Sequence, residues 1–111
     1  QRLHLNLGEA LESTAGERLA EIAPELSVHF ERGDDPRRAS KYLAICAARA
    51  QQRLAPHEVI ACAELALRLL ERVPDTPERQ QRELELRLLL SVSLHLTRGL
   101  NSRPRRDRRR T

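Results

Sequence analysis

The chain has 111 residues, of which 40% are apolar and only 2% are aromatic. This length allows one domain or a piece of one, and a core built from leucine and alanine, with four glycines in the whole chain, favours helix packing over a sheet. The net charge of +4 is uneven, because residues 103–111 hold six arginines and one aspartate whereas the other 102 residues hold 14 basic and 15 acidic side chains. The body is therefore nearly neutral, and nothing in it suggests a nucleic-acid face.

The N-terminal third of the chain predicts two helical segments. Leucines and alanines at helical spacing predict a first helix over residues 2–13. A second segment covers residues 17–32 and contains Pro24. Because proline removes a backbone donor and clashes with the preceding turn, we expect either a kink at Pro24 or a restart with Pro24 in the first turn. Gly33 is expected to end this helix.

Residues 35–74 predict a helical hairpin. Asp35 is a favourable N-cap and Pro36 suits the first helical position. The second helix of the hairpin is expected to begin near Pro56 and to end before Pro74. Small residues recur on the faces that should meet, namely Ala39, Ala47, Ala50, Ala63 and Ala66. Hairpins with small contact residues pack closely and typically stack on neighbours of their own kind.

The fifth predicted helix begins with Thr76 as N-cap and Pro77 at the first position, and it is expected to end at Arg98 with Gly99 as the stop. Its second half is so apolar that it needs burial on more than one side, through Leu88, Leu89, Leu90, Val92, Leu94 and Leu96. Residues 101–111 contain no apolar side chain and are expected to be a disordered arginine-rich tail. The sequence thus predicts an all-α fold of stacked antiparallel hairpins over residues 1–100.

Residues 40–73 resemble a tetratricopeptide repeat, a helix–turn–helix unit of 34 residues. The packing positions of that repeat fall near Leu43, Ala47, Ala50, Val59, Ala63, Ala66 and the downstream Pro74. Ala50 stands where the repeat usually has a large aromatic residue, and Val59 where it usually has a small one. Pro74 comes about three residues later than in the repeat, which predicts a fourth helix longer than standard.

Three longer segments, LHLNLGEALE, HFERGDDPRRASKYL and LLERVPDTPERQQRELELRLLL, are similar to the helical repeat region of bacterial signal-transduction ATPases of the STAND class. Members of this class carry a nucleotide-binding domain, a winged helix and tetratricopeptide-like repeats, and many have an adenylate/guanylate cyclase or a helix-turn-helix output domain. The resemblance covers residues 2–100 and implies a sensor arm that binds a ligand or partner and restrains the ATPase switch. The chain has no G-x-x-x-x-G-K-[ST] phosphate loop, so no nucleotide chemistry is assigned to any residue.

The C-terminal segment NSRPRRDRRRT departs from that family pattern, which continues with another helical stretch. We expect the chain to be a fragment, since a helical pattern is already under way at Gln1, and we hypothesise that the reading frame breaks near residues 100–102. The neighbouring genomic sequence tests this idea, which fails if no frame continues the helical repeat.

Candidate chemical sites are sparse. Cys46 and Cys62 lie on the two helices of the hairpin, where a redox pair is conceivable, although burial as small apolar residues is the more common role of free cysteines. No C-x₂-C spacing suggests zinc, and the four histidines lie on separate elements (His4, His29, His57, His95). The tail arginines could bind phosphate backbones non-specifically, through Arg103, Arg105, Arg106, Arg108, Arg109 and Arg110.

The leading functional expectation is a protein–protein interaction segment of a larger regulator, with no catalysis, no cofactor and no metal of its own. The alternative is a small nucleic-acid-associated protein that binds through its basic tail. The N-terminus has no signal-peptide pattern and no apolar run reaches the about 18 residues of a membrane span, so a cytoplasmic protein with a protein partner is expected. The sequence does not identify a small-molecule ligand.

Overall fold

The structure, a computed structural model, describes the backbone of residues 2–110 and the side chains of residues 2–99. Within these residues the chain is all-helical, with five α-helices, one short 3₁₀ turn and no strand. The elements are α1 (Arg2–Ala15), the 3₁₀ turn (Gly16–Arg18), α2 (Ala23–Arg32), α3 (Pro36–Gln52), α4 (Pro56–Leu70) and α5 (Pro77–Arg110). The predicted all-α fold is confirmed.

The starts of three helices follow the sequence prediction. The Asp35 carboxylate accepts a hydrogen bond from the Arg38 backbone amide at 3.2 Å, and the Thr76 hydroxyl oxygen accepts one from the Arg79 amide at 3.2 Å. Each cap satisfies a backbone donor that has no partner within its helix. Pro24 lies in the first turn of α2, so the second segment restarts there and does not kink.

The fourth helix ends before Pro74, as predicted. It stops at Leu70, and the amides of Glu71, Arg72 and Val73 bond to carbonyls three residues back rather than four. This tightening unwinds the helix ahead of Pro74, because a residue that precedes proline is driven out of the helical region. The expectation that this helix is longer than in the standard repeat stays a prediction.

The fifth helix ends later than predicted. The backbone of α5 stays helical to Arg110, past the expected end at Arg98. A single glycine costs a helix about 1 kcal/mol and does not by itself end it. Side chains beyond Gly99 lie outside those described, so the boundary between a packed segment and a separate tail over residues 101–111 stays a prediction.

The helices pack in chain order, and α3 lies at the centre, in contact with α2, α4 and α5. The core spans these four helices through Phe30 of α2, Tyr42 of α3, Leu70 of α4 and Leu86 of α5, all of which are buried. The Phe30 and Tyr42 rings stack with their centroids 5.8 Å apart. The two aromatic residues of the chain thus meet at one point and anchor α2 on α3.

Two glycines let α1 approach α2 closely. A Cβ atom on Gly8 would lie 2.9 Å from Cζ of Phe30, and one on Gly33 would lie 2.9 Å from the backbone nitrogen of Leu5. Both distances are shorter than carbon atoms tolerate. These glycines therefore set the distance between α1 and the core.

Polar contacts tie α1 to α3. The Tyr42 hydroxyl donates to the Glu12 carboxylate, and Arg38 donates to Glu9 at 2.9 Å. The Arg38 guanidinium also lies 5.2 Å from the centre of the Phe30 ring. Burial, and then the bond to Glu12, raise the pKa of Tyr42 above its usual range, since both favour the neutral phenol.

Candidate interaction surface

All but one of the repeat-packing positions lie inside the hairpin and not on its surface. Six of them are buried along the seam between α3 and α4, namely Leu43, Ala47, Ala50, Val59, Ala63 and Ala66. Pro74 is exposed on the link between α4 and α5. The six buried residues hold the two helices together and are not accessible to a partner.

Helix α5 has two different faces. One face packs on the rest of the molecule and buries Leu86, Ser93 and Thr97. The other carries four apolar side chains at four-residue intervals that are 46–59% exposed, namely Leu84, Leu88, Val92 and Leu96, which we call the α5 stripe. Residues at this interval lie on one side of a helix. Leu89, Leu90 and Leu94 are half-buried. The sequence predicted that the apolar half of α5 would be buried on more than one side, but in the described residues only one side of it is covered.

A concave region, the α5 groove, runs beside the α5 stripe. It consists of two adjoining hollows of about 650 Å³ and about 400 Å³, which share Gln51 and Val92 in their walls. Ala48 and Gln51 of α3 form one side, and Leu88, Val92 and Leu96 of the α5 stripe form the other. An apolar hollow with few polar groups is the usual form of a binding site.

Leu54 stands at one end of the α5 groove, in the turn between α3 and α4. It is 84% exposed and has a left-handed backbone with φ of 58°. Its amide bonds to the Gln51 carbonyl at 3.0 Å, and the Ala55 amide bonds to the Ala50 carbonyl at 2.9 Å. Glycine usually occupies such a position, and a leucine there costs about 1–2 kcal/mol. This strained turn could have been noticed in the sequence, because the segment RLAP ends a helix without a glycine.

The charge around the α5 stripe changes along α5. Near its N-terminal end, Arg87 and Glu83 form an ion pair at 2.9 Å. Residues 98–110, by contrast, hold seven arginines and one aspartate. The side chains of Arg103 to Arg110 lie outside those described, so nucleic-acid binding by the tail stays a prediction, but the sequence makes the C-terminal end of α5 strongly basic.

The two cysteines meet. Both are half-buried free thiols that line a hollow of about 440 Å³ together with Arg49 and Arg53. A hydrogen bond from the Cys46 thiol, helped by Arg53 and opposed by burial and Glu58, lowers the pKa of Cys62 to about 7. The same bond, together with burial, raises the pKa of Cys46. The sequence could not decide whether these residues approach each other, because that depends on the register of the hairpin.

Two of the four histidines also meet. The Nδ1 atoms of His4 on α1 and His29 on α2 are 3.3 Å apart, which allows one ring to donate and the other to accept. In the described part of the chain, no three His, Cys, Asp or Glu side chains cluster as metal ligands. Among the same residues, no helix combines the length and hydropathy that crossing a membrane requires.

No protein-family model, no curated protein and no solved structure matches this chain.

Proposed function

We propose that this chain is a protein–protein interaction segment without catalysis of its own, and that an amphipathic helix of a partner binds along the α5 stripe in the α5 groove. The observation that carries the proposal is the row of four exposed apolar side chains beside an apolar hollow. A row of this kind is unusual on a free helix, because apolar residues on a surface are normally scattered singly. Helix-in-groove binding uses the same four-residue spacing for its anchors.

The α5 stripe sets the length of its partner. From Leu84 to Leu96 it spans about 18 Å at the rise of an α-helix, so a partner helix of about 12 residues covers it. Completing the burial of four half-exposed side chains contributes about 4 kcal/mol, which alone corresponds to about millimolar affinity. A stable complex therefore needs additional contacts from the groove wall, including Leu54, and from charge.

Charge selects the kind of partner helix. Seven arginines against one aspartate in residues 98–110 favour a partner with acidic residues at the end that meets this segment. Because exposed charges are screened by salt, this part of the binding should weaken as ionic strength rises. The part of the binding that comes from apolar contacts should not weaken with salt.

The same face fits a tetratricopeptide-like arm of a larger STAND-class regulator, which we propose as the setting of this segment. In support, α5 packs on both α3 and α4, as the first helix of one repeat does on the pair before it. The α5 groove lies between α3 and α5, which in that arrangement are the first helices of successive pairs, and stacked repeats bind partners on an extended concave surface. The cytoplasmic setting and the restraint of an ATPase switch belong to this proposal.

A titration with a designed peptide tests the proposal. The probe is a fluorescein-labelled helical peptide with leucines at four-residue spacing and glutamates elsewhere, added to the full chain. We expect saturable one-to-one binding, about tenfold weaker for Leu88→Glu and unchanged for Leu3→Glu, which places the same charge on an exposed leucine of α1.

A second peptide, with lysine in place of glutamate, controls for general stickiness. The account predicts weaker binding of this peptide at low salt. Equal loss of binding in both leucine variants, or equal binding of both peptides, would contradict a specific site on α5.

A further inference from the structure

Cys46 and Cys62 occupy matched positions in the hairpin. Each lies eight residues from Leu54 in the turn, so the two face each other across the antiparallel pair α3 and α4. The seam between these helices is lined by buried alanines, among them Ala47 and Ala63. Small residues let helix backbones come close, and a disulfide requires a short Cα separation.

Both thiols are also reachable from outside. They are half-buried and line the same open hollow with Arg49 and Arg53. A pair of sealed core cysteines would not share such a hollow. The geometry thus differs from that of ordinary buried cysteines, which are inert because no reagent reaches them.

We propose that Cys46 and Cys62 form a dithiol that a hydroperoxide oxidises reversibly to a disulfide across the α3–α4 seam. The proposal is independent of the proposed function, since it rests on a different face of the hairpin. In this reaction Cys62 attacks and Cys46 resolves.

The arrangement fits this division of roles. The hydrogen bond from the Cys46 thiol lowers the pKa of Cys62 and raises the pKa of Cys46, whereas Arg53 favours the thiolate of either cysteine. The thiolate is the nucleophile in such reactions. At neutral pH, Cys62 therefore ionises first and Cys46 keeps its proton.

The chemistry balances in two steps. The Cys62 thiolate attacks one oxygen of hydrogen peroxide, the O–O bond breaks, and Cys62 sulfenic acid and hydroxide form. The hydroxide takes up the proton that Cys62 released on ionising, which gives the first water. The sulfur of Cys46 then attacks the Cys62 sulfur, the S–O bond breaks, and the departing oxygen takes the Cys46 proton and leaves as the second water. Two thiols and one peroxide yield one disulfide and two waters, the sulfurs being oxidised and the peroxide oxygens reduced. A dithiol reductant restores both thiols.

The disulfide would close a loop that contains Leu54 and the turn between α3 and α4. Gln51, Leu54 and Val59 line the larger hollow of the α5 groove, and all three lie within this loop. Oxidation would therefore restrict the motion of one wall of the groove. The thiol pair would thus provide a redox-sensitive covalent link between α3 and α4.

Oxidation of the full chain in its reduced form tests the proposal. After stoichiometric hydrogen peroxide, we expect a monomer lighter by two hydrogen masses, a Cys46–Cys62 linked peptide in a non-reducing digest, and full reversal by dithiothreitol. Dimedone, which traps sulfenic acids, should label Cys62 in the Cys46→Ser variant. It should label Cys46 in the Cys62→Ser variant at least about tenfold more slowly.

The cysteine-to-serine variants need a control for folding, which the helical signal in circular dichroism supplies. The wild-type experiment needs no variant and stands if either one unfolds. Two free thiols after peroxide treatment, a disulfide formed only between copies of the chain, or overoxidation of Cys62 to the sulfinic acid with Cys46 still free would each overturn the proposal.

Discussion

The α3–α4 hairpin and helix α5 are built from similar residues but differ in how these residues are covered. In the hairpin, alanines and leucines on each helix pack against those of the other, and most of the seam is buried. In α5 only one face has a neighbour, and the α5 stripe remains exposed. Apolar content therefore does not decide whether a face is structural or available for binding. The presence of a facing surface decides it.

Matched leucine truncations should give the largest difference between the two regions. Leu70 of α4 is buried and Leu88 of the α5 stripe is exposed. We expect Leu70→Ala to lower the free energy of unfolding by about 2–5 kcal/mol, and Leu88→Ala to change it by less than about 0.5 kcal/mol. Urea denaturation of both variants measures this. Similar losses in the two variants would mean that the α5 stripe is part of the core.

Overfilling the seam should produce the next largest effect. Ala63 is fully buried between α3 and α4, so Ala63→Leu forces the helices apart and should cost about 1–3 kcal/mol. Ala48→Leu, on the α3 wall of the α5 groove, serves as the control and should be nearly neutral. Thermal unfolding followed by circular dichroism distinguishes the two variants. An unchanged melting temperature in Ala63→Leu would show that α3 and α4 are not closely packed at this position.

The bond between Tyr42 and Glu12 should give a smaller effect, with a pH signature. Because the pKa of Tyr42 is raised in the folded chain, its stabilising contribution is complete below the unfolded pKa of about 10. It is lost as the pH rises towards the folded value. Tyr42→Phe should lower stability by about 1 kcal/mol and remove this alkaline decline. Urea denaturation at a series of alkaline pH values checks both, and an unchanged decline in Tyr42→Phe would assign it to another group.

Substituting alanine for glycine should have the smallest effect on stability in α5, at Gly99. At Gly33, where α1 contacts α2, the effect should have the opposite sign. Among the described residues, no atom outside the neighbouring residues and the backbone of α5 itself lies within 4 Å of a Cβ built on Gly99, so Gly99→Ala should stabilise α5 by up to about 1 kcal/mol. Gly33→Ala would clash with the Leu5 backbone and should destabilise the chain. Helical signal and melting temperature report both changes, and a stabilising Gly33→Ala would show that α1 does not pack where the structure has it.

The sequence predicted local features well because these depend on nearby residues. The caps at Asp35 and Thr76 each require one side chain and the amide three residues later, and the restart at Pro24 follows from proline geometry. The helix ends were less certain. The backbone of α5 continues past Gly99, where the sequence predicted an end, whereas α4 does end before Pro74.

The sequence predicted contacts across the fold poorly because these depend on register and crossing geometry. The Tyr42–Glu12 bond, the meeting of His4 and His29, and the close approach at Gly8 and Gly33 join residues about 20–30 positions apart, with no local pattern to mark them. The sequence predicted one aspect of the exposed α5 stripe and missed another. Its apolar pattern and its need for a partner were evident, but which of its leucines stay exposed followed only from the packing of α5.

Hydrogen exchange of the full chain tests the central claim most directly, when it is followed by mass spectrometry with and without the leucine–glutamate peptide. Without the peptide, amides along the α3–α4 seam should exchange slowly and those of residues 84–96 faster. With it, exchange should slow in residues 84–96 and in the turn around Leu54, and stay unchanged in α1. Protection that is absent, or that appears equally in α1, would contradict a docking face on α5.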